Sequence, residues 1–233
     1  MEQMMKNIEQ IKEEIEKACL KVGRNPNEVR LLAVSKTFPV EIIKEAYNAG
    51  QCLFGENRVQ ELCTKTPLLP ADIEWHLIGT LQRNKVKNVL GKVALIHSVD
   101  SVSLAREIDK RAARKNLMVD VLLQVNVAGE KTKHGFIPEE VKSKVKEICK
   151  LPRIKIKGLM TMAPFTENPE EVRPIFRELR TLAESIEKLQ LPEVQMKELS
   201  MGMSNDFRVA IEEGATLVRI GSRIFGTRND VRR

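Results

Sequence analysis

Short apolar runs alternate with amphipathic segments along most of the chain. Eight apolar runs are candidate strands, at residues 31–35, 52–54, 74–78, 94–98, 119–125, 156–160, 197–200 and 216–220. The segments between them, such as VEIIKEAYNAG and SLAREIDKRAARKN, have the apolar spacing of helices. Proline near several helix starts and glycine at some helix ends, as at Gly50 and Gly214, support these assignments. Strand and helix therefore alternate, which predicts an α/β protein.

The number of strand and helix units selects the architecture. Eight units in 233 residues favour a closed (β/α)8 TIM-type barrel over an open doubly wound sheet, and no GxGxxG sequence follows an early strand. We expect a single domain whose barrel spans residues 30–228, with an extra N-terminal helix over residues 1–24. The face of this helix that packs outside the barrel is predicted to carry Met5, Ile8, Ile11, Ile15, Ala18 and Val22.

The composition, 42% hydrophobic and 30% charged residues, is that of an ordinary globular protein. The first segment carries acids and bases throughout, unlike a signal peptide, and no stretch approaches the roughly 20 apolar residues that span a bilayer. We therefore expect a cytoplasmic protein with no membrane partner. The four cysteines, at positions 19, 52, 63 and 149, form no CxxC pair and are expected to be reduced, buried or half-buried apolar residues.

The charge balance of 39 basic against 32 acidic residues gives a net charge of +7 and favours anionic ligands. Arg83, Lys85, Lys87 and Lys92 form a basic cluster of the kind found in nucleic-acid-binding modules. Only 4% of the residues are aromatic, so platforms for stacking bases are scarce. We expect no nucleic-acid partner, and a steep salt dependence of binding would be the sign of one.

Lys36 ends the first predicted strand, and ligand sites in (β/α)8 barrels lie at the carboxyl ends of the strands. Burial and neighbouring cations lower the pKa of such a lysine, which makes its amine a nucleophile toward an aldehyde. Taken alone, a lysine at a strand end more often extends its ammonium to solvent at the rim. The residues on the opposite side of the barrel decide between these interpretations.

Two Gly/Ser turns follow the seventh and eighth predicted strands, and each enters a helix start. They contain Ser200, Gly202, Ser204, Gly221 and Ser222. Backbone N–H groups and hydroxyls in such turns bind phosphate, and this is the usual phosphate position in the fold, although helix capping explains the same residues. A lysine that traps a carbonyl opposite a phosphate site predicts pyridoxal 5'-phosphate (PLP), which has both an aldehyde and a phosphate.

Arg219 on the last strand is predicted to point into the barrel, where it can donate to the pyridine nitrogen of PLP. A cation in this position keeps the nitrogen unprotonated and weakens the ring as an electron sink. The alternative is an ion pair between Arg219 and Asp206 or Glu56.

Several motifs resemble those of the pyridoxal phosphate homeostasis protein family (YggS/PROSC), from Leu31 to Gly226. They are LLAVSKTFP, FGENRVQEL, WHLIGTLQRNKVK, HSVDS, QVNVAGEKTKHGF, GLMTMAP, LSMGMSNDF and GATLVRIGSRIFG. The resemblance implies a barrel like the alanine racemase N-terminal domain, with PLP held as a Schiff base on Lys36. It also implies a phosphate site formed by Ser200, Gly221 and Ser222. Arg219 would lie beside the pyridine nitrogen, and Asn57 and Met162 would lie near the cofactor.

The absence of a second base argues against racemisation. In the fold type that this barrel resembles, that base is a tyrosine from an additional β domain, for which this chain has no room. The only tyrosine, Tyr47, lies inside the helix after the first strand. The expected function is PLP homeostasis without robust catalysis, by buffering PLP or delivering it to PLP-dependent apo-enzymes, with effects on amino-acid and keto-acid metabolism. We expect a monomer or a weak homodimer.

The alternative functions are enzymatic. One is a PLP-dependent racemase-like enzyme of low activity that uses Lys36 with His76 or His134, and another is a Schiff-base aldolase without cofactor. His76 lies within a strand, where a hydrogen-bonded core histidine is more common, and His134 lies in a loop. A visible absorption band separates a PLP protein from a colourless aldolase. Whether Lys65 or Lys85 offers a second PLP site stays open at this point.

Overall fold

A closed barrel of eight parallel strands forms the centre of the computed structural model, which describes residues 2–130 and 134–226. The strands pair in chain order and β8 closes the barrel against β1. They are β1 (Arg30–Val34), β2 (Leu53–Glu56), β3 (Glu74–Leu77), β4 (Leu95–Val99), β5 (Val119–Gln124), β6 (Ile154–Met160), β7 (Val194–Met203) and β8 (Leu217–Ile220). The predicted (β/α)8 barrel is confirmed. Its predicted last residue, 228, lies outside the described residues.

Helices surround the barrel in the described part of the chain. They are α1 (Glu2–Lys21), α2 (Val40–Asn48), α3 (Val59–Lys65), α4 (Val86–Val89), α5 (Val102–Arg114), α6 (Pro138–Ile148), α7 (Arg173–Glu187), α8 (Phe207–Glu212) and α9 (Ser222–Phe225). Short 3-10 helices cover Pro26–Glu28, Thr66–Leu68, Arg83–Lys85 and Pro169–Val172. In α5, for example, Leu104, Ile108 and Ala112 are buried at helical spacing, so one apolar face packs on the strands.

Helix α1 is the extra element, and it packs against α8 and α9 outside the barrel. The buried face begins one residue earlier and ends three residues earlier than predicted. Met4 and Cys19 are buried, whereas Met5 is 50% exposed and Val22 is 42% exposed. The helical repeat places Met4, not Met5, one turn before Ile8, and Val22 lies beyond the last helical residue.

The barrel interior combines an apolar layer with polar residues. Leu32, Val34, Leu122 and Leu217 belong to a buried cluster inside the barrel. Because side chains alternate along a strand, Arg219 faces the same interior as Leu217, and Lys36 continues the inward series of Leu32 and Val34. The alternation therefore directs both cations toward the carboxyl end of the barrel.

Two further expectations concern cysteines and membranes. The described cysteines are free, and Cys19 is buried while Cys63 and Cys149 are half-buried. Cys52 is exposed, contrary to its prediction, because it lies just before β2 at the amino end of the barrel.

No helix within residues 2–130 and 134–226 is long and apolar enough to cross a membrane.

Candidate cofactor site

A cavity of about 420 Å³ opens at the carboxyl ends of the strands, within the range of about 300–1,000 Å³ that is typical of small-molecule sites. Six predicted site residues line it, namely Lys36, Asn57, Met162, Arg219, Gly221 and Ser222. The seventh, Ser200, is not part of the lining. Residues that are distant in the sequence therefore meet here because the ends of parallel strands form one rim.

Lys36 lies in a tight turn after β1 and is half-buried. The N–H of Phe38 donates to the carbonyl of Ser35 over 3.1 Å and closes the turn. Thr37 has a φ of 70°, in the left-handed region that a β-branched residue rarely adopts. Its N–H donates to Oε2 of Glu61 over 2.7 Å, so a contact from α3 supports the strained backbone next to Lys36.

Lys65, one helical turn after Glu61 on α3, supports the same turn. Its Nζ donates to the carbonyl of Ser35 over 3.0 Å, to Oε1 of Glu56 over 2.8 Å and to Oε2 of Glu61 over 2.9 Å. Glu56 is fully buried, and burial raises the pKa of its carboxyl against the opposing effect of Lys65. Lys65 is only 7% exposed, so it is not a surface lysine that offers a second PLP site.

Arg219 on β8 forms part of the cavity wall and is only 5% exposed. Its Nη1 donates to the Ser200 hydroxyl over 2.6 Å and its Nη2 donates to the carbonyl of Thr161 over 2.9 Å. These bonds use one N–H of each terminal nitrogen, so the guanidinium retains donors for a ligand. Burial lowers the pKa of Arg219 to about 10, which leaves it a cation at neutral pH.

Neither alternative partner of Arg219 bonds to it. Asp206 instead accepts the N–H of Met203 over 2.6 Å, and Glu56 accepts from Lys65 and Ser35. The predicted inward direction of Arg219 therefore agrees with its hydrogen bonds.

Ser200 lies deeper than predicted. Strand β7 continues to Met203, so Ser200 is inside the strand and not in the turn that follows it. Its hydroxyl is fully buried and contacts Arg219 and Nδ1 of His97, the latter over 2.9 Å. Ser200 therefore lies behind Arg219 and not in the cavity lining, and its role in phosphate binding stays a prediction.

The two predicted Gly/Ser turns do meet at the cavity. Ser204 and Ser222 both line it, and the hydroxyl of Ser222 donates to that of Ser204 over 3.2 Å. A Cβ on Gly221 would lie 3.1 Å from the carbonyl oxygen of Val34, so a side chain there would crowd β1. These turns provide hydroxyls and close-packed backbone opposite Lys36, which fits an anionic group such as a phosphate.

The three histidines and the tyrosine lie outside the cavity. His76 and His97 are fully buried inside the barrel, and His134 is an exposed side chain 3.6 Å from Asp100. The hydroxyl of Tyr47 donates to the carboxylate of Asp72 over 2.7 Å, near the start of β3 and so at the opposite end of the barrel. His97 begins the HSVDS motif but is not among the predicted site residues, since its contacts come from distant strands.

Comparisons with known proteins find similarity over nearly the whole chain. The family model of the alanine racemase N-terminal domain matches residues 3–229. A pyridoxal phosphate homeostasis protein of Aquifex aeolicus is 52% identical over 222 residues, which are 95% of this chain and 96% of that protein. The structure of PipY from Synechococcus elongatus PCC7942 with PLP bound is 38% identical with a TM-score of 0.79, covering 91% of this chain and 100% of PipY. An alanine racemase of Clostridium difficile 630 shares the fold, at 13% identity and a TM-score of 0.75, covering 97% of this chain and 57% of the racemase.

Proposed function

The chain belongs to the pyridoxal phosphate homeostasis protein family and carries the alanine racemase N-terminal domain, and from this premise we propose that it binds PLP at the barrel mouth. It acts in PLP homeostasis, as a reversible holder of the cofactor. The observation that carries the proposal is one cavity lined by the Lys36 amine, the Arg219 guanidinium and the hydroxyls of Ser204 and Ser222.

Each of these groups matches one part of PLP. When bound, PLP supplies an aldehyde that condenses with primary amines. Lys36 provides that amine, and the turns with Gly221, Ser204 and Ser222 hold the phosphate. Arg219, a buried residue of the cavity wall, would donate an N–H to the pyridine nitrogen of bound PLP, and its positive charge would disfavour protonation of that nitrogen. Asn57 and Met162 form the sides of the cavity.

The lining favours holding the cofactor over two-base catalysis. Among the described residues that line the cavity, Lys36 is the only one whose side chain is of a type that serves as a general base. Tyr47, the only tyrosine of the sequence, bonds to Asp72 at the other end of the barrel. A racemase of this fold type needs a second base on the opposite face of the bound substrate. We therefore propose a protein without robust catalytic activity.

Delivery to a PLP-dependent apo-enzyme requires an incoming amine to reach the link between PLP and Lys36. Asn57 and Ser222 are exposed at the rim, so solvent reaches the cavity from the side that a lysine of a recipient would approach. We propose such apo-enzymes as partners of a monomeric or weakly dimeric protein.

Borohydride reduction followed by peptide mass spectrometry tests the attachment. Wild-type protein loaded with PLP should carry a pyridoxyl group on Lys36, and Lys36→Ala should lose both the modification and the visible absorption band. Lys85→Ala is the matched control, because Lys85 does not line the cavity, and it should retain both signals. Modification of another lysine in wild-type protein, or none at all, would refute the proposal.

A racemase-like activity is the second candidate, and the alanine racemase N-terminal domain favours it. Loaded wild-type protein should not interconvert D- and L-amino acids at a rate above that of free PLP. Clear turnover that Lys36→Ala abolishes would establish an enzyme. A colourless protein that forms an imine with a carbonyl substrate in the absence of PLP would indicate an aldolase.

A further inference from the structure

A continuous line of hydrogen bonds crosses the barrel interior beneath the cavity. It begins at Arg219, whose Nη1 is 2.6 Å from Oγ of Ser200, and Oγ is 2.9 Å from Nδ1 of His97. Nε2 of His97 is then 2.9 Å from Nδ1 of His76, and Nε2 of His76 is 2.8 Å from Oε1 of Glu74. Ser200, His97 and His76 are fully buried, so the line connects the cavity to the amino end of the barrel without solvent.

The two ends of this line have fixed roles. A guanidinium only donates hydrogen bonds, and an ionised carboxylate only accepts them. The hydrogen bond from His76, together with the charge of Arg30, lowers the pKa of Glu74 to about 2, so Glu74 is ionised. Burial lowers the pKa of His76 and His97, so both rings are neutral at pH 7. Each ring then has one donor nitrogen and one acceptor nitrogen.

Only one arrangement of protons satisfies every bond. His76 must donate from Nε2 to Glu74, so its Nδ1 accepts from Nε2 of His97. Nδ1 of His97 then accepts the hydroxyl proton of Ser200, and the Ser200 oxygen accepts from Arg219. All four bonds run in the same direction, from the guanidinium to the carboxylate. Any other pair of neutral tautomers places two acceptors or two donors against each other.

We infer that His97 and His76 are positioning residues for Arg219, which act through the hydroxyl of Ser200. Because His97 accepts a hydrogen bond from the Ser200 hydroxyl, a lone pair of the Ser200 oxygen faces Nη1 of Arg219. The carbonyl of Thr161 accepts from Nη2. The guanidinium plane is thereby fixed, with its remaining donors directed at the cavity. This inference rests on the proposed function, because the acceptor that Arg219 is positioned to meet is the pyridine nitrogen of PLP.

The tautomers can be measured without PLP. In protein with 15N-labelled histidine at pH 7, His76 and His97 should both give signals of a neutral ring protonated at Nε2. His134, the third histidine of the sequence, is exposed and serves as the internal reference. Glu74→Gln keeps an acceptor oxygen and should leave both tautomers unchanged, whereas Glu74→Leu should introduce rings protonated at Nδ1. Mixed tautomers or cationic rings in the wild type would overturn the inference.

Loading with PLP tests the effect on Arg219. His97→Leu removes the acceptor that orients the Ser200 hydroxyl, and Ser200→Ala removes the hydroxyl that accepts from Arg219. Both variants should shift the absorption band of bound PLP and raise its dissociation constant about fivefold to tenfold, because a hydrogen bond that fixes the guanidinium is weakened or lost. His134→Leu is the control and should change neither quantity. A variant with lower thermal stability but an unaltered band and dissociation constant would show a purely structural role and refute the inference.

Glu74→Leu covers the case in which the buried variants do not fold, because the Glu74 side chain is 40% exposed. It should produce the same band shift from the far end of the line, and an unaltered band would refute the inference. If wild-type protein fails to bind PLP while the tautomers are as described, the proposed function fails and the hydrogen-bond line stands.

Discussion

Replacing Lys65 by Met is the sharpest test of how the turn at Lys36 is supported. The Nζ of Lys65 makes hydrogen bonds with Ser35, Glu56 and Glu61, all within 3.0 Å. Glu56 is fully buried, and its Oε2 has no hydrogen-bond partner in the described structure. Met preserves most of the apolar stem of lysine, so the substitution removes mainly charge and donors.

The expected loss of stability follows from the buried carboxylate. Removing one member of a buried ion pair costs about 3–5 kcal/mol, because the other charge is left without a partner. Glu61 adds little to this loss, since its side chain is 22% exposed and water can solvate it. We expect Lys65→Met to lower the free energy of unfolding by about 3–5 kcal/mol at pH 8, measured by urea denaturation.

The loss should depend on pH in a defined direction. Burial already raises the pKa of Glu56, and without Lys65 that pKa rises further. A carboxyl whose pKa is higher in the folded state destabilises the fold as pH rises from the unfolded pKa through the folded pKa. The difference between Lys65→Met and wild type should therefore shrink from pH 8 to pH 5.

The double variant Lys65→Met with Glu56→Gln should recover a large part of the loss, because no unpaired charge remains. Lys44→Met, at an exposed position on α2, is the control and should be neutral. A loss that is independent of pH, or one below about 1 kcal/mol as for a surface ion pair, would refute the reasoning. Lys65→Met should also weaken PLP binding, since Ser35 precedes Lys36 in the supported turn.

Two further predictions concern α1 and the rim of the cavity. Arg223 donates to Glu14 over 2.6 Å, and this hydrogen bond is the main cause that lowers the pKa of Glu14 to about 2. The contact therefore stabilises the fold fully above the ordinary carboxyl pKa, and this stabilisation is lost as pH falls toward 2. Glu14→Gln should cost about 1–2 kcal/mol at pH 7 and almost nothing near pH 2 in urea denaturation, and equal losses at both pH values would contradict the ion pair. A Cβ on Gly79 would lie 2.1 Å from the carbonyl oxygen of Asn57, so Gly79→Ala must displace this part of the rim. Gly79→Ala should raise the dissociation constant of PLP and lower Tm. The control Thr80→Ala, at the neighbouring exposed position, should change neither quantity. A Gly79→Ala protein that binds PLP as tightly as wild type would contradict the prediction, because the rim would then accommodate the added methyl group.

Local sequence pattern suffices for most of the fold. Each strand except β7 is within two residues of its predicted limits, because a buried strand is a continuous apolar run. Strand β7 begins three residues early and ends three residues late. Its first half alternates between half-buried and exposed residues, which gives no apolar run, and Gly202 within Met201–Met203 has the sequence character of a turn.

The sequence predicts a site residue correctly where its place in the cavity follows from its position just after a strand. Lys36 and Gly221 directly follow predicted or observed strand ends, and both line the cavity. Ser200 is not, because its depth depends on the pairing of β7 with β8, whose register shifts between Ser200 and Met203. The contact between His97 and Ser200 joins residues 103 positions apart, and no periodicity within a single segment encodes such a pair.

The two buried networks also explain why the cavity holds only one base. One network ends on Glu56 and Glu61 behind the turn of Lys36, and the other ends on Glu74 at the amino end of the barrel. Among the described residues, none of the carboxylates and imidazoles of these two networks lines the cavity. The acids support the turn that carries Lys36, and the histidines connect to Arg219 through Ser200. None of these acids and histidines lines the cavity, so they supply no proton donor or acceptor on the face opposite Lys36. This arrangement supports our proposal that the protein holds PLP and exchanges it between amines, since racemisation requires a second base.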